Sequence, residues 1–179
     1  MGFTAPLHDL SDYLKWTMSG HIQLPDFQRG YKWEDERVRS LLVTILRGHP
    51  LGIVMLLETG NDQVRFKPRP IEGVALDSSV DPSFLLLDGQ QRLTSLTQAL
   101  TEDGIVATKD DRGKALDRRY YVNIPLALAG DDRIDEAIIS VPADGMRRTN
   151  FGRDIELDVS TPEKEQANRL FPLRLLYRP

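Results

Sequence analysis

The residues best equipped for chemistry stand together in Asp88-Gly89-Gln90-Gln91-Arg92. A carboxylate, two carboxamides and a guanidinium fall within one short stretch. Burying such groups without partners is costly, so their concentration calls for a reason. A guanidinium offers a fixed fork of N–H donors that suits phosphate oxygens. A carboxylate can hold a hard cation or orient a nucleophile. The amides can position substrate or water. The chemistry in prospect is that of a phosphate or nucleotide site, with Asp88, Gln90, Gln91 and Arg92 as the working groups. The same residues would also serve a plain hydrogen-bonded turn with a helix cap, and both readings stand.

A second concentration is Phe27-Gln28-Arg29-Gly30-Tyr31-Lys32-Trp33. It is dense in aromatics for a chain with 7% of them. Phe27, Tyr31 and Trp33 could stack on bases or wall a pocket. Arg29 and Lys32 could meet phosphates. Alternatively, Phe27 and Trp33 are core anchors. Our reading is mixed: Trp33 in the core, with Gln28, Arg29 and Tyr31 facing the site.

Three basic clusters complete the inventory: Arg65, Lys67 and Arg69; Arg112, Lys114, Arg118 and Arg119; Arg147, Arg148 and Arg153. Alternation puts 65, 67 and 69 on one strand face, where they could follow a nucleic-acid backbone. Solvated surface is the competing reading. Ser11, Thr94 and Ser95 have no histidine close in sequence to act as a base, so none is a candidate nucleophile.

The elements that must position these groups can be read from pattern. Phe84 to Leu87 is an apolar run bounded by a glycine turn, a buried strand. Leu93, Leu96, Ala99 and Leu100 then recur at helical spacing, predicting a helix over 90–101. Asp88 to Arg92 therefore occupies a strand-to-helix turn, where unpaired helix N–H groups favour an anion. Upstream, Leu7, Leu10, Leu14 and Met18 predict a core-facing helix ending near Gly20. Val38, Leu41, Leu42, Ile45 and Leu46 predict a second helix, with Glu34, Asp35 and Glu36 at its N-terminal end and Gly48 and Pro50 as its stop. Residues 21–33 have no helical period, and Pro25 and Gly30 mark turns. Ile53 to Leu57 reads as a buried strand, with Val64 to Lys67 as its hairpin partner across Gly60-Asn61-Asp62. Tyr120 to Ile124 and Ile138 to Val141 read as strands, Pro162 to Leu170 as a charged helix, and 102–118 and 142–160 as loops. The mixture predicts an α+β fold.

Composition narrows the class. With 179 residues, 40% hydrophobic and 28% charged, this is an ordinary globular chain able to bury a sizeable core. A net charge of −4 argues against non-specific coating of nucleic acid but permits a local basic groove. The absence of cysteine removes disulfides, thiolate metal sites and cysteine nucleophiles. Three scattered histidines make a histidine-rich metal centre implausible. No apolar run approaches the roughly 18 residues of a membrane span, and no signal pattern opens the chain, so a cytoplasmic location without membrane partners is expected. The apolar, abrupt end from Leu170 to Pro179 suggests the N-terminal piece of something longer.

Leu24-Pro25-Asp26-Phe27-Gln28-Arg29-Gly30-Tyr31-Lys32-Trp33 followed by Leu87-Asp88-Gly89-Gln90-Gln91-Arg92-Leu93-Thr94 resembles the N-terminal domain of GmrSD-type restriction proteins, shared with SspE-like phosphorothioate-sensing defence proteins. The resemblance covers about residues 5–125. It implies a ParB/sulfiredoxin-like fold, a small mixed sheet with surrounding helices, over 1–125, with 126–179 as the rest of that domain or the start of a linker. It implies hydrolysis of a nucleoside triphosphate (GTP, UTP or ATP) with Mg²⁺ held at Asp88, and antiviral defence as the setting. Asp88, Gln90, Gln91 and Arg92 would be catalytic, with Gly89, Arg92, Thr94 and Arg29 binding nucleotide. Phe27, Gln28, Arg29, Tyr31 and Lys32 would sense modified DNA, and an apolar wall from Phe27 and Tyr31 would suit a soft, sulfur-substituted phosphate. The family motif often carries Tyr where this chain has Phe27. Cleavage would belong to a C-terminal His-Asn-His-type nuclease domain, of which this chain carries no pattern. A second copy of the chain is a further candidate partner. The alternative is a non-catalytic DNA-binding or regulatory module that takes nucleotide only as a ligand. No Gly-x-x-x-x-Gly-Lys-Ser/Thr loop is present, so a P-loop enzyme is excluded.

Overall fold

The structure, a computed structural model, describes residues 4–60, 66–76, 80–110 and 112–177. In chain order its elements are α1 Leu10–Met18, β1 Ile22–Pro25, α2 Asp35–Leu46, β2 Met55–Glu58, β3 Pro68–Arg69, β4 Phe84–Asp88 and α3 Gln90–Leu100. There follow β5 Val106–Lys109, β6 Ala115–Asn123, α4 Ile124–Leu128, α5 Ile134–Ala137, β7 Ile138–Pro142, β8 Met146–Thr149, β9 Asp154–Asp158, α6 Pro162–Ala167 and β10 Leu170–Pro172. The fold is α+β, as the sequence predicts.

The chain divides into two compact units that interleave in sequence. The first takes its described residues from Met1–Tyr31 and Ile53–Thr97, the second from Lys32–Gly52 and Gln98–Arg178. The first unit is built on a four-stranded sheet of order β2-β4-β1-β3. β1 runs parallel to β4, while β2 is antiparallel to β4 and β3 to β1. The inner strands carry the core. Ile22, Leu24, Leu86, Ile71 and Leu93 are buried together, with Trp16, Val54 and Phe84 packed against them. β1 has no alternation because all four of its residues are buried, so the sequence gives it no strand signature. Gln23 belongs there because its carboxamide donates to the carbonyls of Gly20 at 3.0 Å and Val80 at 2.7 Å.

The predicted hairpin between Ile53–Leu57 and Val64–Lys67 does not form among the described residues. β2 starts at Met55 and pairs with β4, while Pro68–Arg69 pairs with β1. Asn61, Asp62, Val64 and Arg65 lie outside the described residues. Nor is β2 buried: it is an edge strand, and Ile53 and Met55 are exposed. α1 keeps Leu14 in the core, but Leu7, expected on the same face, is fully exposed before the helix begins.

The second unit is organised by β6, the long strand that pairs with β5, β7 and β10. Tyr121, Val141, Val159 and Leu170 form its core. α2 matches its predicted span. Its first residue, Asp35, accepts hydrogen bonds from the Tyr120 hydroxyl and the Ser140 hydroxyl, each at 2.7 Å. Glu165 of α6 is buried and accepts from the Tyr121 hydroxyl at 3.2 Å and the Arg174 guanidinium at 3.0 Å. Burial, followed by the adjacent Glu165 charge, holds the Tyr121 phenol above its ordinary pKa.

The stretches 102–118 and 142–160, expected as loops, contain β5, the start of β6, β8 and β9. Their charged residues occupy exposed or half-buried positions of short strands. Asp154-Ile155-Glu156-Leu157-Asp158 alternates with the period of a strand, a signal the density of charge conceals. The predicted strand end at Ile124 is instead the start of α4, capped by Asn123, whose side chain accepts from the Leu126 amide. The helix predicted to Leu170 ends at Ala167, and Leu170 opens β10.

Candidate functional site

The strand-to-helix turn is formed as the motif predicts. Asp88 is the last residue of β4, and Gln90 opens α3. The first helical bond runs from the Leu93 amide to the Gly89 carbonyl at 2.9 Å, so the amides before it have no acceptor within the helix. Gly89 has φ +94°, and a Cβ there would meet Val54 Cγ2 at 3.3 Å. Both the handedness of the turn and the space require glycine. Opposite Asp88 the β2–β4 register shifts between Met55 and Leu56. A bulge at this point redirects the strand end beside the motif.

Arg92 extends to the Ile53 carbonyl at 2.7 Å and faces the Asp88 carboxylate at 3.5 Å. The Asp88 side chain is 71% exposed and that of Arg92 25%. The carboxylate is therefore available to solvent, while the guanidinium is oriented by a backbone carbonyl. Exposed Ile53 and Met55 provide apolar surface on this edge. The apolar run Ile53 to Leu57 reads as a buried strand, yet these two residues are on the surface. The glycine-rich approach Gly52-Ile53 was the available hint that this segment runs along a surface.

The aromatic loop is fastened to this turn by hydrogen bonds over about sixty residues of sequence. Gln28 donates to the Leu87 carbonyl at 2.8 Å. Gln90 donates to the Arg29 carbonyl at 2.7 Å, and Gln91 to the Gly30 carbonyl at 3.4 Å. The Tyr31 hydroxyl lies 2.8 Å from the Ser95 hydroxyl, which itself donates to the Gln91 carbonyl at 2.7 Å. Since Ser95 has one proton, Tyr31 is the donor of that pair. Arg69 donates to the Gln28 carbonyl at 3.1 Å and pairs with Glu72 at 3.0 Å. Gln28, the Arg29 backbone and Tyr31 are thus joined to the segment from Leu87 to Ser95.

Their surroundings differ. Arg29 is exposed, and its guanidinium has no hydrogen-bond partner among the described residues. Phe27 is 59% exposed and packs edge-to-face on Phe66 at 5.1 Å, an aromatic that sequence reasoning did not single out. Gln90 and Thr94 are buried, and the Thr94 hydroxyl has no hydrogen-bond partner among the described residues. Lys32 and Trp33 fall in the second unit. There Lys32 is exposed, and Trp33, expected in the core, is half-buried beside Arg37 and Ser40 on α2.

The basic clusters are not free stripes. Arg65 lies outside the described residues, Lys67 precedes β3, and Arg69 is engaged as above. Arg118 lies 3.7 Å from Asp35, Arg147 donates to the Ser140 carbonyl at 2.8 Å, and Arg148 pairs with Asp144 at 2.6 Å. That pairing holds the Asp144 carboxyl below its usual range.

No group of three or more His, Asp or Glu side chains able to hold a metal occurs among the described residues. Asp88 supplies one carboxylate. Mg²⁺ commonly takes one or two carboxylates and completes its shell with substrate phosphates and water, so this donor set fits an ion that arrives with a nucleotide. Among the described residues no helix is long and apolar enough to cross a membrane.

Comparison with known proteins agrees with the paired motifs. An uncharacterized protein of Methanocaldococcus jannaschii is 29% identical over 173 residues. That alignment covers 94% of this chain, and the chain spans 28% of the relative's length. No solved structure matches. The model of the GmrSD restriction endonuclease N-terminal domain matches residues 10–171, and the chain belongs to that family.

Proposed function

We propose that this chain is the nucleoside-triphosphate-hydrolysing, DNA-sensing domain of a modification-dependent restriction system. The observation that carries the reading is the fastening of the aromatic loop onto the strand-to-helix turn by Gln28, Gln90 and Gln91. It brings the exposed Arg29 to the motif that holds Asp88 and Arg92.

In this reading Arg92, braced by the Ile53 carbonyl, and Arg29 neutralise the charge of the terminal phosphates. The amides opening α3, with Gly89 allowing close approach, add backbone donors. Asp88 would hold Mg²⁺ arriving with the nucleotide, and that ion would supply further charge neutralisation. Gln90 is a positioning residue, since its amide is committed to the Arg29 carbonyl. Gln91, half-exposed at the same mouth, orients the attacking water. Water adds to the terminal phosphorus as the bridging P–O bond breaks. Diphosphate nucleotide and inorganic phosphate leave, and the water proton passes to solvent. Such transfer depends on positioning and charge stabilisation more than on covalent chemistry. Phe27, its neighbour Phe66 and Tyr31 form the apolar side of a DNA-sensing surface, with Gln28 and Arg29 as its polar members. A nuclease domain, modified DNA and a second copy of the chain are the partners proposed for the whole protein.

The test is release of inorganic phosphate from GTP, UTP and ATP by the purified chain with Mg²⁺. Arg92→Ala is expected to reduce turnover by about 10²-fold, the loss of one charge-assisted phosphate contact. Full turnover in that variant would overturn the assignment. One observation favours the second reading, a module that binds nucleotide without turning it over: Gln28 and Gln90 both spend their amides on backbone carbonyls. Nucleotide binding with no phosphate release by the wild-type chain would select it.

A further inference from the structure

Strand β6 carries two successive arginines whose situations differ. Alternation sends them to opposite faces. Arg118 lies on the face of Tyr120 and has the Asp35 carboxylate at 3.7 Å. Arg119 lies on the face of the buried Tyr121, opposite Val141 in the ladder with β7. It is half-buried, and its Nε is cut off from solvent without a hydrogen-bond partner among the described residues. No ion pair reaches it there either. Asp117, the acid on the same face of β6, is exposed and does not pair with it. A guanidinium stays charged at any ordinary pH, so its desolvation is not relieved by losing a proton. Such a group calls for an anion.

The carboxylate closest to hand is already committed. Glu165 is buried, and it accepts from the Tyr121 hydroxyl at 3.2 Å and from Arg174 Nη2 at 3.0 Å. The turn that carries Arg174, Leu173–Leu175, packs against β6. Gly104 makes room for the Arg174 stem, since a Cβ there would stand 2.8 Å from Arg174 Cβ. The Arg174 guanidinium is thus fixed by a buried carboxylate at its head and by a glycine along its stem. Its Nε and Nη1 donate to no described residue, and its side chain is 22% exposed. Burial and the Glu165 charge raise the Tyr121 phenol, while the Arg174 and Arg119 guanidinia act on it in the opposite sense, so both cations lie within reach of one hydroxyl. Two guanidinia therefore face one carboxylate, and one positive charge is left over. A planar carboxylate satisfies one fork of N–H donors. A tetrahedral oxyanion has oxygens directed to more than one side and can accept from two.

We propose that Arg119 and Arg174 form a phosphate-binding site beside Tyr121 in the second unit, built from none of the residues assigned to the nucleotide site. A free phosphate ion and a phosphodiester of nucleic acid share this chemistry, and two arms of one experiment separate them. In the first, the full chain is melted at constant ionic strength while chloride is replaced by inorganic phosphate. In the second, binding of a short DNA duplex is titrated. Phosphate is expected to raise the wild-type melting temperature with a saturable dependence. Arg92→Ala, which alters the nucleotide site, keeps such a rise. Arg119→Met retains an apolar stem and removes the charge. It is expected to melt no lower than the wild type without phosphate and to bind phosphate about tenfold more weakly. Arg119→Gln gives the same loss and carries the test if the methionine variant folds poorly. If only duplex binding depends on Arg119, the phosphate is that of a nucleic-acid backbone and the site stands. If phosphate stabilises wild type and variants equally, or stabilises none of them while the duplex binds all alike, the site is wrong. If Arg119→Met melts well below the wild type yet keeps the whole phosphate rise, Arg119 serves packing and the site is wrong.

Discussion

Gln28 shows how much of this site is built from ordinary hydrogen bonds. Its carboxamide spans from the aromatic loop to the last residues of β4. Gln28→Ala is therefore expected to lower unfolding free energy by about 1 kcal/mol in urea titration. It should also weaken nucleotide turnover, because Arg29 loses its platform. Gly89→Ala should cost about 1–2 kcal/mol by the same measurement, through its φ of +94° and the Val54 contact. At the far end of the chain, Asp158 accepts from Lys164 and Ser160, which hold its pKa at about 2 instead of 3.8. A depressed carboxyl contributes stability above its unfolded pKa and loses it as pH falls through the folded value. Thermal melts should thus show a drop in stability between about pH 4 and pH 2 that Asp158→Asn lacks. The types of these residues were legible in the sequence, but their partners were not. The acceptors are mostly main-chain carbonyls, which every residue carries and no motif records.

At the scale of elements, docking of α2 depends on one carboxylate. Asp35 begins the helix and receives hydroxyls from β6 and β7. Asp35→Ala is expected to destabilise the chain by about 1–3 kcal/mol in denaturant melts, since it removes two bonds and leaves polar groups partly buried. Elements with a strong period were readable: α2 and α3 lie where their apolar stripes put them, and β4 where its apolar run ends in Asp88-Gly89. Strands without that contrast were not. β1 is buried along its whole length and shows no alternation, β8 carries two consecutive arginines, and β9 carries charge at alternate positions. The β2 pairing was misjudged for a different reason. Proximity in sequence suggested a hairpin, but β4 supplies β2 with a longer antiparallel ladder, and β3 instead caps β1 where Pro25 and Pro68 face each other. Neither proline has an N–H to offer, so the ladder resumes only at the Asp26 amide, which donates to the Lys67 carbonyl.

For the whole molecule, the account turns on two motifs far apart in the chain acting as one site. Each motif could be recognised from its own residues. Their union could not be derived from either, and it depends on a sheet that sets β1 beside β4. A net charge of −4 means that affinity for nucleic acid would have to come from a local concentration of cations, of which Arg69 and Arg148 are already paired within the fold. The most direct test is a double-mutant cycle on Mg²⁺-dependent phosphate release with Arg29→Ala, Arg92→Ala and the double variant. One shared site predicts that the double variant loses markedly less than the product of the single losses, because both guanidinia serve the same phosphates. Losses that simply multiply, or a wild-type chain that releases no phosphate, would contradict it.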